Sequence, residues 1–163
     1  MTIDNRENAI LNLYRASELH GGLILGQMVR RASDSRLVVN LTKHAAEQLL
    51  NARIWTETII RGGGTLLAAI ETLYDRQVSK GQSPASIRDA LSVVNVVERQ
   101  TCAQLVAHLG KGDVHPLFDD TLKRMIDVER RHIDWVNAWL RSNETEPASR
   151  ARPAERAASH PNS

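Results

Sequence analysis

Six polar residues recur where amphipathic helices need apolar side chains: Glu18, Gln48, Asn51, Glu98, Glu129 and His132. A residue seven places along a helix returns after about 700°, almost to the same line, so heptad neighbours reveal which way a side chain points. Glu18 lies between Leu11 and Leu25, Glu98 between Leu91 and Leu105, and Glu129 between Leu122 and Val136. Three separate segments therefore each direct one carboxylate toward the core. His132 stands one turn beyond Glu129, with Met125 and Trp139 as its own heptad neighbours, so Glu-x-x-His is inward-facing in both members.

The second helical segment repeats this geometry with altered chemistry. Leu41, Gln48 and Trp55 form one line and His44, Asn51 and Thr58 the adjacent one, so Gln48-x-x-Asn51 occupies the place of a second Glu-x-x-His. Burying one carboxylate without a partner is unfavourable, and three in one layer repel each other. A divalent cation resolves that cost, as do protonation or inward cations such as Arg53 and Arg99. Carboxylate and imidazole donors with open positions suit iron or manganese and oxygen chemistry better than a closed structural zinc site.

The elements that must position this layer are helical. Strand signals are nearly absent, since the β-branched run Val93 to Val97 falls inside a segment of helical spacing. Asp4 and Glu7 have capping-box spacing and open a first helix that ends near Ser33. A turn at Asp34-Ser35 leads to a second, over about residues 36 to 61, stopped by Gly62-Gly63-Gly64. A crossover follows, with Leu66 to Tyr74 read as a short helix against one edge of the bundle. Ser83 as N-cap and Pro84 at the first helical position start a third long helix running to Gly110. His115-Pro116 begins a fourth that reaches about Arg141. From Ser142 onward the chain has no large apolar side chain, and residues 142 to 163 are expected to be a disordered tail. The expected fold is thus all-α, a four-helix bundle over residues 1 to 141 with a long crossover between helices two and three.

Here the chain resembles the ferritin-like di-iron carboxylate superfamily, whose pattern over four helices is Glu, Glu-x-x-His, Glu, Glu-x-x-His. The resemblance covers roughly residues 8 to 141. His44-Ala45-Ala46-Glu47-Gln48 followed by Trp55-Thr56-Glu57 looks like the second helix of small bacterial ferritin-like proteins. Val97-Glu98-Arg99 and Asp127 to His132 look like the third and fourth. The resemblance implies Glu18, Glu98, Glu129 and His132 as metal ligands. Gln48 stands where the family has a bridging Glu and Asn51 where it has a ligating His, so the half of the site on helices one and two is damaged. His44, a full turn before Gln48, either reaches the layer or packs above it. Glu47, about 100° around the helix from Gln48, is expected to face sideways and to need a helix rotation or bulge to enter.

Two functions follow as expectations. One is an oxygen-dependent oxidoreductase, or a descendant of one, with a partial and mononuclear iron or manganese site acting on a small-molecule substrate. The other is a metal-free bundle with a binding or structural role, in which the Gln48 and Asn51 amides close a buried polar network.

The rest of the chain excludes more than it adds. Its 163 residues and 42% hydrophobic content suit one domain with a real core. A net charge of +2, with basic and acidic residues interspersed, lacks the basic stripe of a nucleic-acid protein. The single Cys102 permits no internal disulfide, and the N-terminus lacks a signal-peptide pattern. No apolar run approaches the roughly 20 residues of a membrane span. A cytoplasmic protein is expected, with a homodimer open and Trp55, Trp135 and Trp139 as core or dimer anchors.

Overall fold

The computed structural model describes residues 2–68, 86–112 and 114–143. Among them are four long α-helices and no strand: α1 (Asn5–Arg31), α2 (Ser35–Arg61), α3 (Ile87–Lys111) and α4 (Asp119–Ser142). A 3₁₀ turn, Pro116–Phe118, leads into α4. None of these helices is long and apolar enough to cross a membrane. The expected short helix over 66 to 74 and the expected tail fall almost wholly outside the described residues.

The helix ends follow local chemistry. Asp4 accepts a hydrogen bond from the Glu7 amide while Glu7 Oε2 accepts from the Asp4 amide, the reciprocal pair the spacing predicts. Asp34 caps α2 by accepting from Leu37 N at 2.7 Å. The cap of α3 differs from the expected Ser83-Pro84, which lie outside the described residues. Ser86 is the N-cap of the described helix and its hydroxyl accepts from Asp89 N, because Ser86-x-x-Asp89 also satisfies the capping spacing. At the other end, Gly112 adopts the left-handed conformation (φ 64°) that lets its amide close the last turn onto His108 O. Arg88 reaches across to the free carbonyls of Leu140 and Asn143, satisfying acceptors at the C-terminus of α4.

Three residues join α1 to α2 and seven join α3 to α4, so each pair is an antiparallel hairpin. The most extensive contacts are within the hairpins, α1 on α2 and α3 on α4. The α1–α2 approach is close. A Cβ on Gly21 would lie 2.7 Å from Gln48 Oε1, and one on Gly22 would lie 2.7 Å from Leu49 Cγ and 3.1 Å from the Ala45 carbonyl oxygen. An asparagine clamp then fixes the chain as it leaves α2. Asn8 Oδ1 accepts from Thr65 N and Asn12 Oδ1 from Leu67 N, while Asn12 Nδ2 donates to Thr65 O.

Inside, the apolar side chains form two clusters. One contains Leu11, Trp55, Leu105 and Leu122, the other Leu25, Leu41, Leu91 and Val136. The heptad lines through Glu18, Gln48, Glu98 and Glu129 each run from one cluster to the other and cross a polar layer midway. Trp55 is fully buried, whereas Trp135 and Trp139 are half-buried and pack against the second cluster.

Candidate metal centre

All six polar-layer residues are buried, none more than 4% exposed, and His44 joins them at 3%. The helices thus turn these side chains inward at the register that heptad spacing predicts. Arg53 and Arg99, the inward cations considered from sequence, stay outside. Arg53 is exposed and pairs with Glu57 on its own helix, and Arg99 donates to Asn137 Oδ1 of α4.

The layer divides into two groups. In the first, His44, Glu98 and His132 come from α2, α3 and α4, and one ligand atom of each lies within 4.8 Å of the other two. His44 Nε2 and Glu98 Oε1 share a hydrogen bond of 2.8 Å, and Gln48 Nε2 donates to the same oxygen at 3.3 Å. His132 Nδ1 stands 3.7 Å from Glu98 Oε1, too far for a hydrogen bond. The two imidazole rings are 3.4 Å apart between centroids, tilted by 46°. In the second group, Asn51 Nδ2 donates to Glu18 Oε2 at 3.3 Å, and Glu18 is hydrogen bonded to Glu129. Two carboxyl groups in contact require a proton between them.

Electrostatics follow from burial. Desolvation pushes Glu98 up to about 8. Desolvation and the neighbouring Glu98 push Glu129 up to about 8, and burial followed by Glu129 holds Glu18 well above the ordinary carboxylate range. The same loss of water lowers His44 to about 4, and lowers His132 to about 4 with help from His44. Without a cation the layer is therefore held close to neutral, with imidazoles unprotonated and carboxyls carrying protons at neutral pH.

Glu47 keeps the sideways position that its angle on the helix predicts, and α2 runs through it without a break. From its sideways position, 32% exposed, its Oε2 meets His132 Nε2 at 2.7 Å. Burial alone would raise its pKa, but the hydrogen bond from His132 and the charges of Lys43 and Arg131 together lower it. An ionised Glu47 accepts the Nε2 hydrogen, which leaves Nδ1 of His132 with its lone pair facing the layer.

The residues present fit a divalent cation. Glu98 Oε2, Glu129 Oε2 and His132 Nδ1 are all buried without a hydrogen-bond partner. Each is an electron-pair donor, and leaving such a group unsatisfied in a dry interior costs about 1–3 kcal/mol. A cation held by the compact group would satisfy the donors that Glu98 and His132 offer it. Of the ligands that the resemblance implies, Glu98 and His132 belong to the compact group, while Glu18 and Glu129 form the carboxyl pair next to it. His44, read from sequence as auxiliary, contributes an atom to the compact group. Its signal was its place on the line of Asn51 and Thr58, which aims inward as strongly as that of Gln48. Beyond the layer, Tyr14 stacks on Trp55 at 5.4 Å between centroids, and its hydroxyl lies 2.6 Å from His108 Nδ1.

No protein-family model matches the chain, and no curated protein or solved structure is significantly similar to it.

Proposed function

We propose that this protein binds one transition-metal ion, iron or manganese, on His44, Glu98 and His132, and that it is a ferritin-like oxidoreductase or a descendant of one. The observation that carries the reading is the buried group of two histidines and one carboxylate whose donor atoms lie within 4.8 Å of one another. Two histidines and one carboxylate with open positions are the donor set of non-haem iron oxygenases, and an ion so held supplies oxygen-activating redox chemistry. The ferritin-like assignment draws on the inward Glu of α1, the inward Glu of α3 and the Glu129-x-x-His132 of α4. It draws also on the connectivity, two antiparallel hairpins with the chain passing from Gly64 to Ser86 between them.

The residues around the ion divide the work. Glu47 orients His132, and Gln48 holds Glu98 by donating to one oxygen while leaving the other open. Gln48 and Asn51 supply neutral amides where a paired-metal site needs an anion and an imidazole, which favours one ion over two. Glu129 lies near enough to Glu98 to raise its own pKa, and its free oxygen makes it the candidate fourth ligand. A small molecule bound at the open positions is the proposed substrate class.

A second reading has its own observation. The hydrogen bonds from His44 and Gln48 to Glu98, and from Asn51 to Glu18, satisfy part of the layer without metal, as a structural or binding bundle requires. Elemental analysis separates the two readings, on protein produced with iron and manganese supplied and beside a His44→Ala, His132→Ala variant. About one metal per chain, lost in the variant, supports the metal centre. No metal above the level of a folded variant overturns it and leaves the metal-free bundle.

A further inference from the structure

Exposed apolar side chains occur on several helices, Leu13 and Leu23 on α1 and Val39, Leu49, Leu50 and Ile60 on α2, where α2 mixes them with exposed Arg36, Lys43, Arg53, Glu57 and Arg61. On α4 the exposed positions Asp120, Lys123, Arg124, Asp127, Arg130, Arg131 and Asp134 are charged. On α3, the exposed line from Val93 through Gln100 to Ala107, with Val96, Val97, Ala103 and Gln104 on its flanks, has no charge over about four turns. The three valines are between 43% and 59% exposed. The one nearby cation, Arg99, lies at the edge and is drawn toward Asn95 and Asn137. Charge returns only at the two ends of the face, with exposed Asp89 at its start and exposed Lys111 at its finish.

We propose that this face is the contact between two copies of the chain, packed α3 against α3 and antiparallel about a two-fold axis beside Gln100. The arrangement of residues is self-complementary under that operation, as a two-fold contact requires. Positions whose numbers sum to about 200 meet. Val93 faces Ala107 of the second copy, Val96 faces Ala103, and Val97 lies beside Gln104, so two of the three valines meet alanines. Gln100 meets its own copy, and two carboxamides pair by reciprocal hydrogen bonds. Asp89 at one end meets Lys111 at the other, twice, which selects the antiparallel direction because a parallel pairing sets like charges together. A single helix pair about 30 Å long is at the small end of stable interfaces, so the dimer forms in a concentration-dependent way. The contact uses none of the metal-site side chains and does not rest on the metal reading.

The test is sedimentation of the full chain over a concentration series, joined to cysteine cross-linking in a Cys102→Ala background. The expected result is a shift from 18.2 kDa toward twice that mass. Ala103→Glu, which places a charge against Val96, weakens association at least tenfold while helical content is retained. Gln100→Cys cross-links to itself under mild oxidation, whereas Val93→Cys and Ala107→Cys cross-link only when the two proteins are mixed. The proposal is overturned by a monomer at every soluble concentration. A dimer indifferent to Ala103→Glu, or one that forms without the Gln100→Cys cross-link, overturns it equally.

Discussion

Glu47 on α2 accepts a hydrogen bond from Nε2 of His132 on α4 at 2.7 Å, so one half-exposed carboxylate fixes which nitrogen of a buried imidazole faces the polar layer. Orienting partners of this kind typically contribute about 10- to 100-fold to metal affinity. Glu47→Ala is therefore expected to weaken metal binding by about that factor without removing a ligand. A competition titration with a chromophoric chelator reads this directly, and unchanged affinity would show that His132 needs no orientation from Glu47.

Stability should depend on pH with opposite slopes in the metal-free and metal-loaded protein. Glu98 and Glu129 rise from 4.5 to about 8 on folding, so the folded state holds more protons than the unfolded state between those values. Their contribution is fully present below 4.5 and is lost as pH rises through about 8. His44 and His132 fall from 6.5 to about 4, so their contribution is present above 6.5 and is lost as pH falls toward 4. The two effects oppose one another below 6.5, and above it the carboxyls act alone. Chelated protein should lose stability from pH 6.5 to 8. Metal requires deprotonated ligands, so loaded protein should gain stability over the same window. Urea denaturation at the two pH values, with and without chelator, measures both slopes, and parallel slopes would remove the metal from the account.

Glu98→Gln separates stability from binding. The amide keeps the size and an accepting oxygen for Gln48, but removes the buried acid that titrates near pH 8. The metal-free variant should be more stable than wild type at pH 8 and should lose at least about tenfold in metal affinity. A variant destabilised at pH 8 would mean that the carboxylate is already neutralised by a partner.

Gly22→Ala tests the close approach of α1 and α2. Alanine gains about 1 kcal/mol of helix propensity over glycine. Its Cβ, however, would meet Leu49 Cγ at 2.7 Å and the Ala45 carbonyl oxygen at 3.1 Å, and the backbone oxygen cannot swing aside. Overpacking of this kind costs about 1–3 kcal/mol, so a net loss of stability is expected by thermal or denaturant unfolding. A more stable variant would show that the helices part easily at this point.

Much of this protein was legible in its residue order because helical periodicity is a local property. The heptad neighbours of Glu18, Glu98, Glu129 and His132 placed each of them inward, and all four are buried. The Asp4–Glu7 capping box and the α2 stop at Gly62 follow from neighbours a few positions apart, and both stand as read. The start of α3 was misplaced because Ser83-Pro84 and Ser86-x-x-Asp89 are both valid caps, and local rules do not rank them.

What periodicity does not contain is the relative height and rotation of helices that are far apart in sequence. Those are decided when whole apolar faces pack against one another, and they determined that His44 lies level with Glu98 and His132, with Glu18 and Glu129 paired beside them. They also allowed Glu47, off the inward line by its angle on α2, to reach His132 across the gap between two helices. The sequence by itself determined which residues enter the layer, since that depends on the turn of one helix. Only the tertiary structure decided which of them meet, since that depends on how four helices share one core.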